Sequence, residues 1–204
     1  MSQKHGIILI HGTLGSPHEY NELETLLQRE GLLTHKICLP GHHYHNTVPV
    51  KNITAKHILS HCVEDLNTFS KECKNIIVVG HSLGGASALY LASQGHKKVR
   101  GVISLAAPYN QAYTVNHHRG WLKLPFKTLL RSLSHLPDQI TGLPRPQVSA
   151  FDYPHLRQET AFLFDTLSQE IPKIQIPTCL IHSPHDLIVP YGEMIKIQEA
   201  LAHL

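Results

Sequence analysis

The four cysteines, Cys38, Cys62, Cys73 and Cys179, show no C-x-x-C spacing, which leaves the chain without a thiol-based metal or redox motif. No stretch is apolar over enough residues to cross a bilayer. Met1-Ser2-Gln3-Lys4-His5 leads straight into a strand-like run, with no charged-then-apolar signal segment before it. These absences give the expectation of a cytoplasmic protein whose cysteines are buried free thiols. Repeats and low-complexity segments are absent as well, which excludes solenoids and disordered linkers. Charge is modest, with 18 Lys and Arg against 15 Asp and Glu and a formal net charge of +3, so charge implies no nucleic-acid partner. A length of 204 residues suits one domain, spanning 1–204, with a single sizeable core.

Histidine is the residue in excess. There are 18, more than the acidic residues, so net charge climbs steeply as pH falls through about 6.5. Most are scattered. The cluster His42-His43-Tyr44-His45 has adjacent side chains that point apart and no accompanying carboxylate. No metal and no cofactor are expected.

Apolar runs of strand length alternate with longer helical patterns, which predicts an α/β fold: a mostly parallel sheet flanked by helices. Gly6 to His11 reads as the first strand. Pro17 opens a helix carrying Leu23, Leu26 and Leu27 that ends near Gly31, and His35 to Leu39 is a short strand stopped by Pro40-Gly41. A helix from about Thr54 to Lys71 places Ile58, Cys62, Leu66 and Phe69 at helical spacing. Val99 to Ala106 and Ile174 to His182 read as later strands, and a final helix spans about Pro190 to Leu201. Between about 109 and 171 no strand is evident. That region is predicted to be a helical cap inserted between strands.

One segment carries chemistry. Gly80-His81-Ser82-Leu83-Gly84 directly follows Ile76-Ile77-Val78-Val79 and opens the small-residue run Gly85-Ala86-Ser87-Ala88-Leu89. A buried strand, a tight turn with serine between glycines, and a helix make a nucleophile elbow. The turn holds the hydroxyl above the sheet at the positive end of a helix, where developing negative charge is stabilised. Two oxyanion donors are expected: the backbone N–H of Leu83 and that of Thr13 in His11-Gly12-Thr13-Leu14-Gly15. The plainer reading of His11-Gly12 is a strand end followed by a turn. Asp186, in Ile181-His182-Ser183-Pro184-His185-Asp186-Leu187-Ile188-Val189-Pro190, follows a strand and precedes a helix. It suits the acid that orients a catalytic imidazole, against the alternative of a helix cap.

Together with Leu39-Pro40-Gly41-His42 and Ala106-Ala107-Pro108, these segments resemble the α/β-hydrolase superfamily, and most closely its small bacterial carboxylesterases and monoacylglycerol-lipase-type esterases. The resemblance implies Ser82 as nucleophile, Asp186 as acid, and Thr13 with Leu83 as the oxyanion hole. It also implies a histidine some 25 to 30 residues beyond the aspartate, after one more strand. The sequence offers only His203 there, at the far end of the last helix. About 12 residues at ~1.5 Å each set it roughly 18 Å from Asp186. His81 is expected to point away from the pocket, and His11, His182 and His185 to be structural or exposed. The expectation is therefore a C-terminally shortened α/β-hydrolase fold with impaired activity.

In the insertion, Leu122, Phe126, Leu129, Leu130 and Leu133 form one stripe of a helix over 121–133, and Lys123, Lys127 and Arg131 form another. The helix either caps the cleft or makes peripheral contact with an anionic membrane surface. Phe162, Leu163, Phe164 and Leu167 predict a second helix. The functional expectation is a serine hydrolase that cleaves small acyl esters through an acyl-enzyme on Ser82, with thioesters open to the same chemistry. The alternative is a catalytically silent domain that binds an acyl ligand or a partner protein.

Overall fold

The computed structural model describes residues 4–13, 15–42, 53–109, 163–164, 166–186 and 188–202. The expected helix over 121–133, most of the predicted cap, and His43, His45 and His203 lie outside the described residues.

Five parallel strands form one sheet in the order β2-β1-β3-β4-β5: β1 (Lys4–Ile10), β2 (Leu33–Ile37), β3 (Cys73–His81), β4 (Val99–Leu105) and β5 (Thr178–Ile181). Between them run α1 (Asn21–Arg29), α2 (Ala55–Ser70) and α3 (Leu83–Ser93), and α4 (Gly192–Leu201) follows β5. The near-continuous apolar runs of β1 and β3 fit strands covered on both faces. Capping fixes the start of α2: Thr54 accepts the His57 backbone N–H, and the His57 ring takes the Thr54 N–H in return.

The two faces of the sheet are unequal. On one, Ile8, Ile10, Val78 and Val102 meet Ile58, Cys62 and Leu66 of α2, Leu89 of α3 and Ile197 of α4. Leu163, Phe164 and Leu167 belong to this same core, so the second predicted helical pattern packs into it. On the other face, among the described residues, the buried cluster is Leu9, Tyr20 and Val79, with Leu27 of α1 against them. Leu23 and Leu26 of α1 face outward.

Two expectations shift. The run from Ile174 to His182 is strand only over Thr178–Ile181, because Pro172 sits in a 3-10 turn (Ile171–Lys173) and Pro177 precedes the ladder. Cys62 and Cys73 are buried as expected and all four thiols are free, but Cys179 is exposed on the edge strand β5. Among the described residues, no helix is long and apolar enough to cross a membrane.

Strand order brings one place into focus. The chain leaves β1 toward β2 on one side, and leaves β3 toward β4 on the other. The connections after the adjacent strands β1 and β3 therefore diverge, which opens a crevice at their carboxyl ends.

Candidate active site

Both segments singled out for chemistry near the N-terminal half meet at that crevice. β3 pairs with β1 through Ile10 and Gly80, so the loop after β1 and the turn after β3 lie side by side. Ser82 occupies the turn with φ 53 and ψ −117, a conformation that glycine normally takes at the first central position of a tight turn. Holding a serine there costs about 1–3 kcal/mol. The turn glycines make it feasible. A Cβ on Gly80 would run into the Gly84 carbonyl and come within 2.7 Å of the Gly85 nitrogen. One on Gly84 would strike the Ile10 carbonyl group at the end of β1. Without side chains at these positions, α3 comes down onto both strands and carries Ser82 at its head.

Ser82 is partly exposed, and its Oγ has no hydrogen-bond partner among the described residues. The backbone N–H of Leu83, in the first turn of α3, is likewise unclaimed there, as the first donors of a helix are. Gly12 faces the serine directly: a Cβ on it would lie 3.3 Å from the Ser82 Cβ and 3.1 Å from His81 Nδ1. Beside it, the Thr13 N–H makes no hydrogen bond among the described residues. The structure thus brings Ser82, Leu83 and the Gly12–Thr13 backbone together.

His11 is fully buried beneath this loop. Its Nε2 accepts the Leu39 N–H at 3.0 Å, so the ring proton sits on Nδ1 and donates to the Gly12 carbonyl at 2.8 Å. The ring of His42, also buried, meets His11 edge-on at 5.0 Å. Among the described residues, no group of three or more His, Cys, Asp or Glu could hold a metal ion.

Sequence reasoning missed the 3-10 turn Pro17–Tyr20 as part of this site. The Tyr20 hydroxyl donates to the Ile10 carbonyl at 3.0 Å, and burial pushes its pKa well above the usual tyrosine value. The Glu19 carboxylate lies against Gly15, 3.9 Å from His81 Nδ1. Burial raises the Glu19 pKa. The His81 ring, the charges of His11 and His81 when protonated, and the Gly12 N–H outweigh burial and leave it below the ordinary value. The available signal was Gly15, whose missing side chain makes room for a carboxylate four residues on.

Asp186 sits on the loop after β5, at the same edge of the sheet. Only β4 separates β3 from β5, so the two loops are about two strand spacings, or 9–10 Å, apart. Asp186 Oδ1 accepts the N–H groups of Ile188 and Val189 at 2.8 and 2.9 Å, and Oδ2 lies 3.5 Å from His182 Nε2. The buried His182 ring donates through Nε2 to the Val189 carbonyl at 2.8 Å, which makes it a brace for the loop. His185 is exposed, and half-exposed His81 turns toward Glu19. No described histidine is hydrogen-bonded to Ser82. Seven of the 18 histidines, at 43, 45, 117, 118, 135, 155 and 203, lie outside the described residues.

The family model described as "Alpha/beta hydrolase family" matches residues 7–203. The thermostable monoacylglycerol lipase of Bacillus sp. (strain H-257) is 24% identical over 196 residues, 92% of this chain and 72% of that lipase. The crystal structure of the enol-lactonase from Burkholderia xenovorans LB400 superposes with a TM-score of 0.70 at 14% identity, over 98% of this chain and 80% of that one. The thioesterase domain from the curacin biosynthetic pathway gives a TM-score of 0.70 at 15% identity, over 98% and 82%. These structural likenesses are likenesses of fold.

Proposed function

The chain belongs to the alpha/beta hydrolase family, and on that premise we propose that it is a serine hydrolase of the carboxylesterase or lipase type. Its substrates are small acyl esters, cleaved through an acyl-enzyme on Ser82. The observation that carries this reading is the conformation of Ser82: a strained turn, at the head of α3, facing a glycine backbone across the crevice. Backbone strain of that kind persists where surrounding structure over-determines it, and it gathers at reacting groups.

In this mechanism Ser82 Oγ attacks the ester carbonyl carbon and forms a tetrahedral adduct. The N–H groups of Leu83 and Thr13 receive the oxyanion; both are unclaimed by other acceptors among the described residues. The alcohol leaves, the acyl group stays on Oγ, and water releases it by the same route. An imidazole takes the serine proton and passes it to the alcohol oxygen. Asp186 is the carboxylate that orients this imidazole. Oδ1 is committed to its own loop, whereas among the described residues Oδ2 makes only the long contact to His182. No described histidine is hydrogen-bonded to Ser82, so hydrolysis by this chain is impaired to the extent that the imidazole is missing. The segment from about 109 to 171 acts as the cap, with the apolar stripe of 121–133 over the acyl group or its basic stripe on an anionic membrane. The setting is cytoplasmic. The serine geometry suits oxygen esters and thioesters alike. The lipase and thioesterase names among its relatives support the acyl-ester class in that broad sense.

The test is covalent labelling of the purified chain with a fluorophosphonate probe, with the modified residue located by mass spectrometry. The expected result is labelling at Ser82, abolished in Ser82→Ala, and a rapid rate would show that a working base is present. A folded chain that resists labelling at Ser82 would overturn the hydrolase reading and favour the silent acyl-binding domain.

A further inference from the structure

Among the described residues, Glu19 is the carboxylate that touches both sides of the crevice. A Cβ on Gly15 would fall within 2.8 Å of its Cδ, so the carboxylate fills the space a side chain at 15 would need. The backbone N–H of Gly12 is near enough to favour its ionised form. On the far side His81 Nδ1 stands 3.9 Å away, on the residue immediately before Ser82. Its neighbour Tyr20 is pinned to the Ile10 carbonyl, and the His81 backbone N–H faces the Tyr20 oxygen, so the short turn bearing Glu19 is anchored to the ends of β1 and β3 together. The side chain retains 27% of its accessible surface, consistent with packing against both segments.

We propose that Glu19 is a positioning residue: its carboxylate clamps the loop after β1 against the Ser82 turn and so fixes the Thr13 N–H relative to the serine. This rests on the hydrolase reading given above. The chemistry follows from what the carboxylate holds. Gly12 has no side chain to pack, because it must come close to Ser82. A loop without such packing needs an anchor from below. An ionised carboxylate supplies one by drawing in the Gly12 N–H. Facing His81 ties the loop to the residue immediately before the nucleophile. A negative charge near a developing oxyanion would by itself be unfavourable; Glu19 instead faces His81, which adjoins Ser82. Thr13 leaves its N–H unclaimed among the described residues, while that of Gly12 lies near the Glu19 carboxylate.

The experiment compares the full chain with Glu19→Gln and Glu19→Ala, using two readouts. The first is amide hydrogen exchange at Gly12, which needs no activity. The second is the rate of fluorophosphonate labelling at Ser82, with kcat and KM on a p-nitrophenyl ester. In Glu19→Ala, exchange at Gly12 accelerates about tenfold or more. Labelling and kcat fall about ten- to a hundredfold with KM nearly unchanged, the pattern of a misplaced donor rather than lost binding. Glu19→Gln, which keeps an acceptor oxygen, lies between and carries the test if the alanine variant does not fold. Unchanged exchange would overturn the clamp, and faster exchange with unchanged labelling would overturn its role in positioning. If the unmutated chain is never labelled at Ser82, the hydrolase reading fails by itself, and exchange alone decides the clamp.

Discussion

The Ser82 N–H donates to the Leu105 carbonyl at 2.8 Å, and one strand further on the Ala106 N–H donates to the Ile181 carbonyl at the same distance. These two bonds stitch the carboxyl ends of β3, β4 and β5 together just beyond their regular ladders. Ser82 and Ala106 are also the two described non-glycine residues with positive φ, at 53 and 48. Strain is thus concentrated where three strand ends give way to the serine turn, the entry to the insertion and the Asp186 loop. Each strained residue is held by a bond from the next strand, so the turn is only as firm as its neighbours.

Ala106→Gly tests whether that strain is stored. A left-handed backbone costs an L-residue about 1–2 kcal/mol, while glycine loses about 0.5–1 kcal/mol in extra unfolded-state entropy. The balance predicts a gain of up to about 1 kcal/mol, read as a higher urea midpoint with an unchanged slope. A loss of stability would mean that packing of the Ala106 methyl outweighs the strain.

Gly84→Ala should act in the opposite direction. The new methyl would meet the Ile10 carbonyl and the His11 oxygen, which are backbone and cannot rotate aside. Overpacking of this kind costs about 1–3 kcal/mol or more. Gly95→Ala is the control: φ is +67 but nothing lies within 4 Å, so the cost should be limited to about 1–2 kcal/mol of backbone strain. Thermal melts of the two variants side by side would separate collision from strain, and equal losses would contradict this account.

The contrast between these glycines bears on what could be read from the sequence. Gly80, Gly84 and Gly85 were legible because a strand, a turn and a helix follow one another within some 20 residues, each with a local signal. The Asp186 loop was legible for the same reason. Glu19 and Tyr20 were not: their partners, Gly12, Ile10 and His81, become neighbours only once β1 and β3 pair. His182 looked like one of several edge histidines, and only the fold shows it bracing its own loop through Val189. Cys179 was misjudged because an apolar run signals a strand but not whether that strand is an edge. The extent of β5 is overestimated because the run from Ile174 continues through Pro177, which cannot donate to the ladder.

Ser104→Ala addresses a polar group the fold leaves without a partner. Ser104 is buried on β4, and its Oγ has no hydrogen bond among the described residues; a Cβ on Gly85 would sit 3.0 Å from it. Removing an unsatisfied buried hydroxyl recovers its desolvation cost, so the variant should match or exceed the parent by up to about 1 kcal/mol. Chemical denaturation reads this directly, and a loss above that size would reveal a partner for the hydroxyl.

The acid limb of stability should carry the Glu19 signature. Its folded pKa lies below the ordinary value of about 4.5, so ionised Glu19 stabilises the fold at higher pH. That contribution is complete above the unfolded value and is lost as pH falls through the folded one. Glu19→Gln has no such contribution at any pH. The stability difference between the two chains should therefore be larger at pH 7 than at pH 3, and a difference that grows toward pH 3 would reverse the sign.

Asp186 separates a cap from a catalyst, because the same carboxylate serves both readings through different properties. Its loop needs only an acceptor oxygen for the Ile188 and Val189 N–H groups. The proposed chemistry needs a negative charge to orient and stabilise an imidazolium. Asp186→Asn keeps the oxygen and removes the charge, so stability should change by no more than about 1 kcal/mol. Activity on a p-nitrophenyl ester should nevertheless fall by about three to four orders of magnitude. Asp186→Ala removes both, adding a stability loss of about 1–3 kcal/mol from two amides left without their acceptor. If Asp186→Asn hydrolyses esters as fast as the parent, the carboxylate is a loop cap, and the imidazole must be oriented by another group.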